Sequence, residues 1–146
     1  MKIRIEHISE GEEEIVLKYK EKTREIEELL SYLNHKSHAL LCKKEGEEVL
    51  VKPHEVIYLE SVDGVTYVYT AAEVFSTAVS LAGAEAEYAG EGFFRCSKSM
   101  VINIYHIEKL RSEPGNRIDA QMQGGEHVII SRRYAKMLRK ILRGNE

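Results

Sequence analysis

A mainly β fold with short helices, preceded by a small strand-strand-helix extension, is what this sequence predicts, and three observations carry that expectation. From His38 onward, short runs of β-branched and aromatic residues recur at regular spacing. Glycine-bearing turns at Glu45-Gly46, Asp63-Gly64 and Gly124-Gly125 separate pairs of these runs, which is the signature of hairpins. Helical periodicity is confined to three places: residues 26–33, an Ala-rich stretch at Leu81 to Tyr88, and the C-terminal segment.

Taken in order, Lys2 to Ile8 alternates polar and apolar for seven residues and predicts a half-buried strand; Glu14 to Lys20 predicts a second, across an acidic turn at Ser9 to Glu13. Ile26, Leu29, Leu30 and Leu33 then fall at i, i+3, i+4 and i+7, one apolar helical stripe. Thr23 is its expected N-cap, and Glu25, Glu27 and Glu28 suit the positive helix end. An extension of residues 1–36 is too short to bury that stripe alone, so it should dock on residues 37–146 or on a second copy.

In residues 37–146 the expected strands are Ala39 to Cys42, Val49 to Val51, Val56 to Glu60, Thr66 to Thr70, Glu73 to Ala78, Phe93 to Cys96, Met100 to Ile104, Arg117 to Met122 and His127 to Ile130. Asn103 is expected to satisfy backbone groups at a strand end. The closing helix places Tyr134, Met137, Leu138, Ile141 and Leu142 on one face, with Ser131 where an N-cap belongs.

Composition narrows the function. The 146 residues carry 21 Lys+Arg against 24 Asp+Glu, yet residues 1–90 hold 10 basic and 18 acidic side chains while residues 91–146 hold 11 and 6. An acidic chain with a basic C-terminal part can still present a local phosphate-binding face. The longest apolar runs fall far short of the ~20 residues a bilayer needs, and the N-terminus has no secretory pattern, so a cytoplasmic chain without membrane insertion is expected. Cys42 and Cys96 stand 54 residues apart without a CxxC, which predicts reduced core thiols rather than a disulfide framework.

No catalytic constellation is present: GxGxxG, P-loop, HExxH and GxSxG are all missing, so no enzyme activity and no cofactor are expected. His35 and His38 are spaced to share a metal, but no further ligand gathers beside them and no metal is expected. What stands out is the first turn of the last helix. Arg132 and Arg133 occupy the positive end of the macrodipole, where each cation is disfavoured by roughly 0.3 to 1 kcal/mol. Stability alone would place Glu there. Two arginines added to free helix amides make a site suited to phosphate; alternatively, one of them pairs with a carboxylate brought near by folding.

The ordered set Val56-Ile57-Tyr58-Leu59-Glu60-Ser61, Gly92-Phe93-Phe94-Arg95-Cys96-Ser97-Lys98-Ser99, Val101-Ile102-Asn103 and Ile130-Ser131-Arg132-Arg133-Tyr134 resembles the LytTR DNA-binding domain of the LytR/AlgR family of bacterial regulators. The resemblance covers roughly residues 38 to 143. It implies an elongated β fold whose loops, rather than a recognition helix, enter successive major grooves of promoter DNA. The contact places it implies are the hairpin around Gly64-Val65-Thr66, the Ser97-Lys98-Ser99 segment and the start of the last helix. By residue, Arg133 is a candidate for a base, Lys98 for a base or a phosphate, Thr66 for a base or else a purely structural hairpin position, and Arg95, Ser99, Arg132 and Lys136 for the backbone, with Ser97 and Ser131 completing the DNA-binding set. Family members often carry His where Ser97 stands. With about 36 residues ahead of the match, a stand-alone type without a receiver is expected, dimerising through Ile26, Leu29, Leu30 and Leu33 to bind paired repeats. The other reading open to the sequence is a β-rich protein-interaction or signalling module that has lost DNA contact.

Overall fold

The computed structural model describes residues 2–34 and 38–144. Residues 2–23 contain no strand, which corrects the expectation of two at Lys2 to Ile8 and Glu14 to Lys20. Their alternation is real, but an isolated two-stranded ribbon is marginal in water, and the linking turn gathers three carboxylates. Ile3, Ile5, Ile15 and Val16 consequently stand exposed.

Helix α1 (Arg24–Asn34) forms where the stripe predicts it. Thr23 caps it, its Oγ1 accepting from the Ile26 amide at 3.4 Å. Ile26 is buried, Leu29 and Leu30 are half-buried and Leu33 is exposed, with α1 lying against a short 3-10 turn at Ala89–Glu91. Part of the stripe expected to face a second copy is therefore already covered within the chain.

Among the described residues ten strands follow, in two antiparallel sheets. Strands β1 (Leu40–Lys44) and β2 (Glu47–Val51) form the first hairpin, and β3 (Val56–Val62) and β4 (Val65–Thr70) the second. β5 (Val74–Thr77), helix α2 (Leu81–Tyr88), β6 (Phe93–Arg95) and β7 (Met100–Asn103) complete the larger part. The seven strands run in the order β2-β1-β5-β4-β3-β7-β6. β8 (Ile107–Glu113), β9 (Arg117–Met122) and β10 (His127–Ile130) make the second sheet, and helix α3 (Arg132–Leu142) closes the chain. The turn chemistry is legible: Asp63 and Gly64 adopt φ of 50° and 80°, the two positive values a two-residue hairpin requires, which Asp tolerates and Gly favours.

Strand geometry sends successive side chains to opposite faces, and at β3, β6 and β7 both faces of the larger sheet are buried. Val56, Phe93 and Val101 join a core with Leu59, Val68, Phe75 and the α2 residues Leu81, Ala84 and Tyr88. Their immediate neighbours Ile57, Phe94 and Ile102 join a second core with Ile118, Met122 and Ile130 of the smaller sheet and Ala135 and Leu138 of α3. Two-sided burial explains why Phe93-Phe94 and Val101-Ile102 read as continuous apolar runs rather than as alternation. Asn103 ties these layers, its Nδ2 donating to the Val56 carbonyl at 3.0 Å while its Oδ1 accepts from the Tyr105 amide at 3.1 Å.

Two features depart from expectation. β8 was not foreseen: its residues are mostly exposed, so packing imposes no apolar period on them, and backbone pairing with β9 makes the strand. The apolar face of α3 is also split. Leu138 and Ala135 enter the core and Tyr134 is half-buried, but Met137, Ile141 and Leu142 remain exposed.

Candidate nucleic-acid interface

Three segments far apart in sequence are joined by backbone hydrogen bonds. β3 pairs with β7 in a register that sets Glu60 opposite Met100; one step on, the Ser61 amide donates to the Ser99 carbonyl at 2.8 Å. This links the β3–β4 hairpin to the 97–99 segment. That segment is closed at its base by the Cys96 amide donating to the Met100 carbonyl at 3.1 Å. On its other side the Ser131 amide donates to the Cys96 carbonyl at 3.1 Å, bringing in the start of α3. The hairpin, the loop and the helix start are thus contiguous.

Within this frame the candidate residues differ in what they are free to do. Arg95, half-buried at the end of β6, donates from Nε to the Ser97 carbonyl at 2.7 Å and from Nη2 to the Lys98 carbonyl at 2.5 Å. Its guanidinium therefore shapes the loop and adds positive charge beneath it. The Ser97 hydroxyl accepts from the Ser99 amide at 3.3 Å, a local turn that leaves Lys98 and Ser99 exposed. Thr66 is only 7% exposed, so its hydroxyl lies inside a concavity of about 410 Å³ that Gly64, Arg95 and Lys98 also line, rather than at the hairpin tip.

Ser131 occupies the N-cap position of α3 without capping it; its hydroxyl donates to the Cys96 carbonyl at 3.4 Å instead. The expected cap is thereby corrected, and the reason is tertiary: the hydroxyl is drawn away to the loop that α3 abuts. The first-turn amides lose a side-chain acceptor, and Arg132 and Arg133 add two cations to the same end. Among the described residues, neither arginine forms an ion pair with a carboxylate, and neither do Lys98 and Lys136. Arg133 is steadied by Tyr134, its guanidinium carbon 5.5 Å from the ring centroid. Tyr134 in turn meets Phe94 edge-on at 6.5 Å, which ties the helix start to β6. Lys136 lies one turn beyond Arg132, exposed on the same helix.

Cys96 sits beneath this surface, fully buried, and desolvation pushes its thiol up to about 12. A neutral, inaccessible thiol is a poor nucleophile, so the basic surroundings do not make it reactive. His35 lies outside the described residues, and no group of three or more His, Cys, Asp or Glu side chains that could hold a metal occurs among those described. No helix among them is long and apolar enough to cross a membrane.

Residues 46–143 match the family model of the LytTR DNA-binding domain. The chain belongs to the LytTR family. As a LytTR chain it is a member of a family of DNA-binding transcriptional regulators, the LytR/AlgR family, with the mainly β fold the sequence predicts. Its LytTR region is similar to the sensory transduction protein LytT of Bacillus anthracis, 33% identical over 106 residues that make up 73% of this chain and 43% of that protein. It is 27% identical to LytT of Bacillus subtilis strain 168 over 125 residues, 86% of this chain and 52% of that protein. The chain therefore spans about half or less of these LytT relatives. A Staphylococcus aureus protein named as an HTH-type transcriptional regulator is 29% identical over 107 residues, 73% of this chain and 72% of its own. Among solved structures, the LytTR DNA-binding domain of a response regulator from Bacillus cereus superposes with a TM-score of 0.68 at 28% identity, covering 73% of this chain and 97% of that one.

Sequence reasoning singled out Arg132 and Arg133 through their charge at a helix start, and Lys98 through the family resemblance. It missed Ser61, whose role is a backbone bond set by strand register, and Ser80, which caps α2 at the rim of the same concavity. The signal for Ser80 was present, a serine directly before a helical stretch.

Proposed function

We propose that this chain is a sequence-specific transcriptional regulator that docks on duplex DNA by inserting the β3–β4 hairpin, the 97–99 loop and the start of α3 into successive major grooves. The observation that carries this reading is the pair of unpaired arginines in the first turn of an uncapped helix, contiguous with the loop bearing Lys98. Arg133 reads base edges, with Lys98 as a second reader. Arg132, Lys136 and Ser99 hold the phosphate backbone, and Ser131 and Arg95 hold the helix start and the loop in position. Loops rather than a helix-turn-helix make the contacts: among the described residues, strands separate each α-helix from the next.

Selection from a randomised duplex pool, followed by anisotropy titration of the enriched duplex and a scrambled one, tests it. Enrichment of a defined site bound at least ~1000-fold more tightly than the scramble is expected. A pool that enriches nothing, or equal affinities, overturns the reading.

The extension, residues 1–36, serves in the same proposal to pair two chains on repeated sites. Leu33 of the expected stripe stays exposed, and Ile3, Ile5, Ile15 and Val16 of the same extension are also uncovered apolar side chains. Light scattering on the chain with and without residues 1–36 should give a dimer and a monomer respectively. An unchanged mass rejects this role.

A further inference from the structure

A row of hydroxyl side chains crosses the larger sheet. The registers place Ser61 opposite Thr66 and Thr66 opposite Thr77, and the Ser61 amide reaches the Ser99 carbonyl on the other side. Directly opposed residues project on one face, so Ser61, Thr66 and Thr77 form the floor of the 410 Å³ concavity. Its walls are the start of α2, with Ser80, Leu81 and Ala82, and the cations Arg95 and Lys98. No carboxylate lines it.

The hydroxyls are not equivalent. Thr77 donates to the Leu41 carbonyl at 2.9 Å and is satisfied. Thr66 is more than nine-tenths buried as a residue and its hydroxyl has no hydrogen-bond partner among the described residues; no side-chain nitrogen or oxygen among them is both sealed from solvent and unpartnered, so this hydroxyl opens into the concavity. A hydroxyl that opens only into the concavity is free to bond a ligand or a water there. At the wall, Ser80 Oγ accepts from the Gly83 amide at 3.0 Å, which leaves the Leu81 and Ala82 amides as the unbonded donors of the helix end. An open hydroxyl, two helix amides, a lysine and an arginine, with no anion of the protein's own, are the chemistry of a tetrahedral oxyanion site.

We propose that this concavity seats one backbone phosphate of the bound duplex, with α2, an element outside the three contact places, supplying the amide donors. The proposal rests on the DNA-binding reading above and deepens it. The phosphate sits between the β3–β4 hairpin and the 97–99 loop, fixing the register in which Lys98 and Arg133 meet the base edges. Because the phosphate carries no sequence information, its loss weakens every duplex alike.

Ser80→Asp is the decisive variant, since Asp caps a helix as well as Ser but places a negative charge at the rim. About tenfold or greater loss of affinity is expected on the selected and the scrambled duplex alike, while Ser80→Asn stays within about twofold and melts with it. Thr66→Val, which removes the open hydroxyl without changing shape, should lose about three- to tenfold in affinity and no stability. In the DNA-free chain, titration with inorganic phosphate should shift the Leu81 and Ala82 amide resonances saturably in the wild type and not in Ser80→Asp. Ser80→Asp binding DNA like the wild type, with the wild type still selecting its site, overturns the notch and leaves the DNA-binding reading standing. Phosphate shifts without any effect of Ser80→Asp on duplex affinity mean a free anion only and overturn the duplex as the source. A wild-type chain that binds no duplex overturns the DNA-binding reading and the duplex phosphate with it, whatever the phosphate titration shows.

Discussion

At Arg133 the requirements of stability and of recognition point in opposite directions. Its charge is disfavoured at a helix start, but a guanidinium held against the Tyr134 ring has lost part of the freedom it would otherwise lose on forking onto a guanine edge. Arg133→Ala should therefore cost about 1 to 3 kcal/mol of discrimination at one base position, read as collapse of the ratio between the selected duplex and its single-position variants. Arg132→Ala, with no aromatic contact to orient it, should weaken all duplexes equally; matched discrimination profiles for the two variants would reverse the assignment. The cysteines obey a different constraint. Burial raises Cys42 to about 11 and Cys96 to about 12, above the ordinary thiol value of 9.0. The native state thus holds its thiol protons after the unfolded chain has released them, so this contribution is fully present below pH 9 and is lost as pH rises from 9 toward 12. Urea midpoints should be level from pH 7 to about 8.5 and fall above it, with less fall in Cys96→Ala; native-state labelling by iodoacetamide at pH 8 would contradict the burial argument.

At the scale of elements, α3 offers the clearest opposition between folding and binding. Replacing Arg132 by Glu puts a carboxylate where the macrodipole favours one, so a gain of roughly 0.3 to 1 kcal/mol in stability should accompany loss of DNA affinity. Thermal melts that fall with the affinity would show that Arg132 is structural. That conflict was visible in the bare sequence, as were the hairpin turns at Asp63-Gly64 and Gly124-Gly125, because dipoles and positive φ act within a few residues. α2 was legible to its ends from its Ala-rich run, although its Ser80 cap went unused. What could not be read depends on distant partners. β8 carries no apolar period because its side chains face solvent, and the N-terminal alternation suggested strands that find no neighbour to pair with. Ser131 has a capping residue's identity but spends its hydroxyl on Cys96, 35 positions away. Thr66 shows the same limit at the site: the resemblance implied a contact at the hairpin around Gly64-Val65-Thr66, whereas sheet register turned the side chain into the concavity.

For the molecule as a whole, uneven charge decides how binding should respond to salt. Residues 1–90 carry a balance of −8 and residues 91–146 one of +5, so the chain's overall −3 would repel a duplex while its C-terminal surface attracts one. Long-range repulsion is screened over about 10 Å at 0.1 M salt, whereas phosphate contacts release condensed counterions whatever the distant charge. The local term therefore governs the slope. Lys98, Arg132, Arg133 and Lys136 are exposed and free of ion pairs, and if each meets a phosphate or displaces its counterion the logarithm of affinity should fall with that of salt at a slope of about −3.6. Between 50 and 200 mM salt that amounts to an affinity loss on the order of 100-fold. Lys136→Ala should reduce the slope by about 1 on every duplex, because a cation one helical turn beyond Arg132 touches backbone only. A slope near zero in the wild type, or one unchanged in Lys136→Ala, would place the duplex on some other face of the molecule.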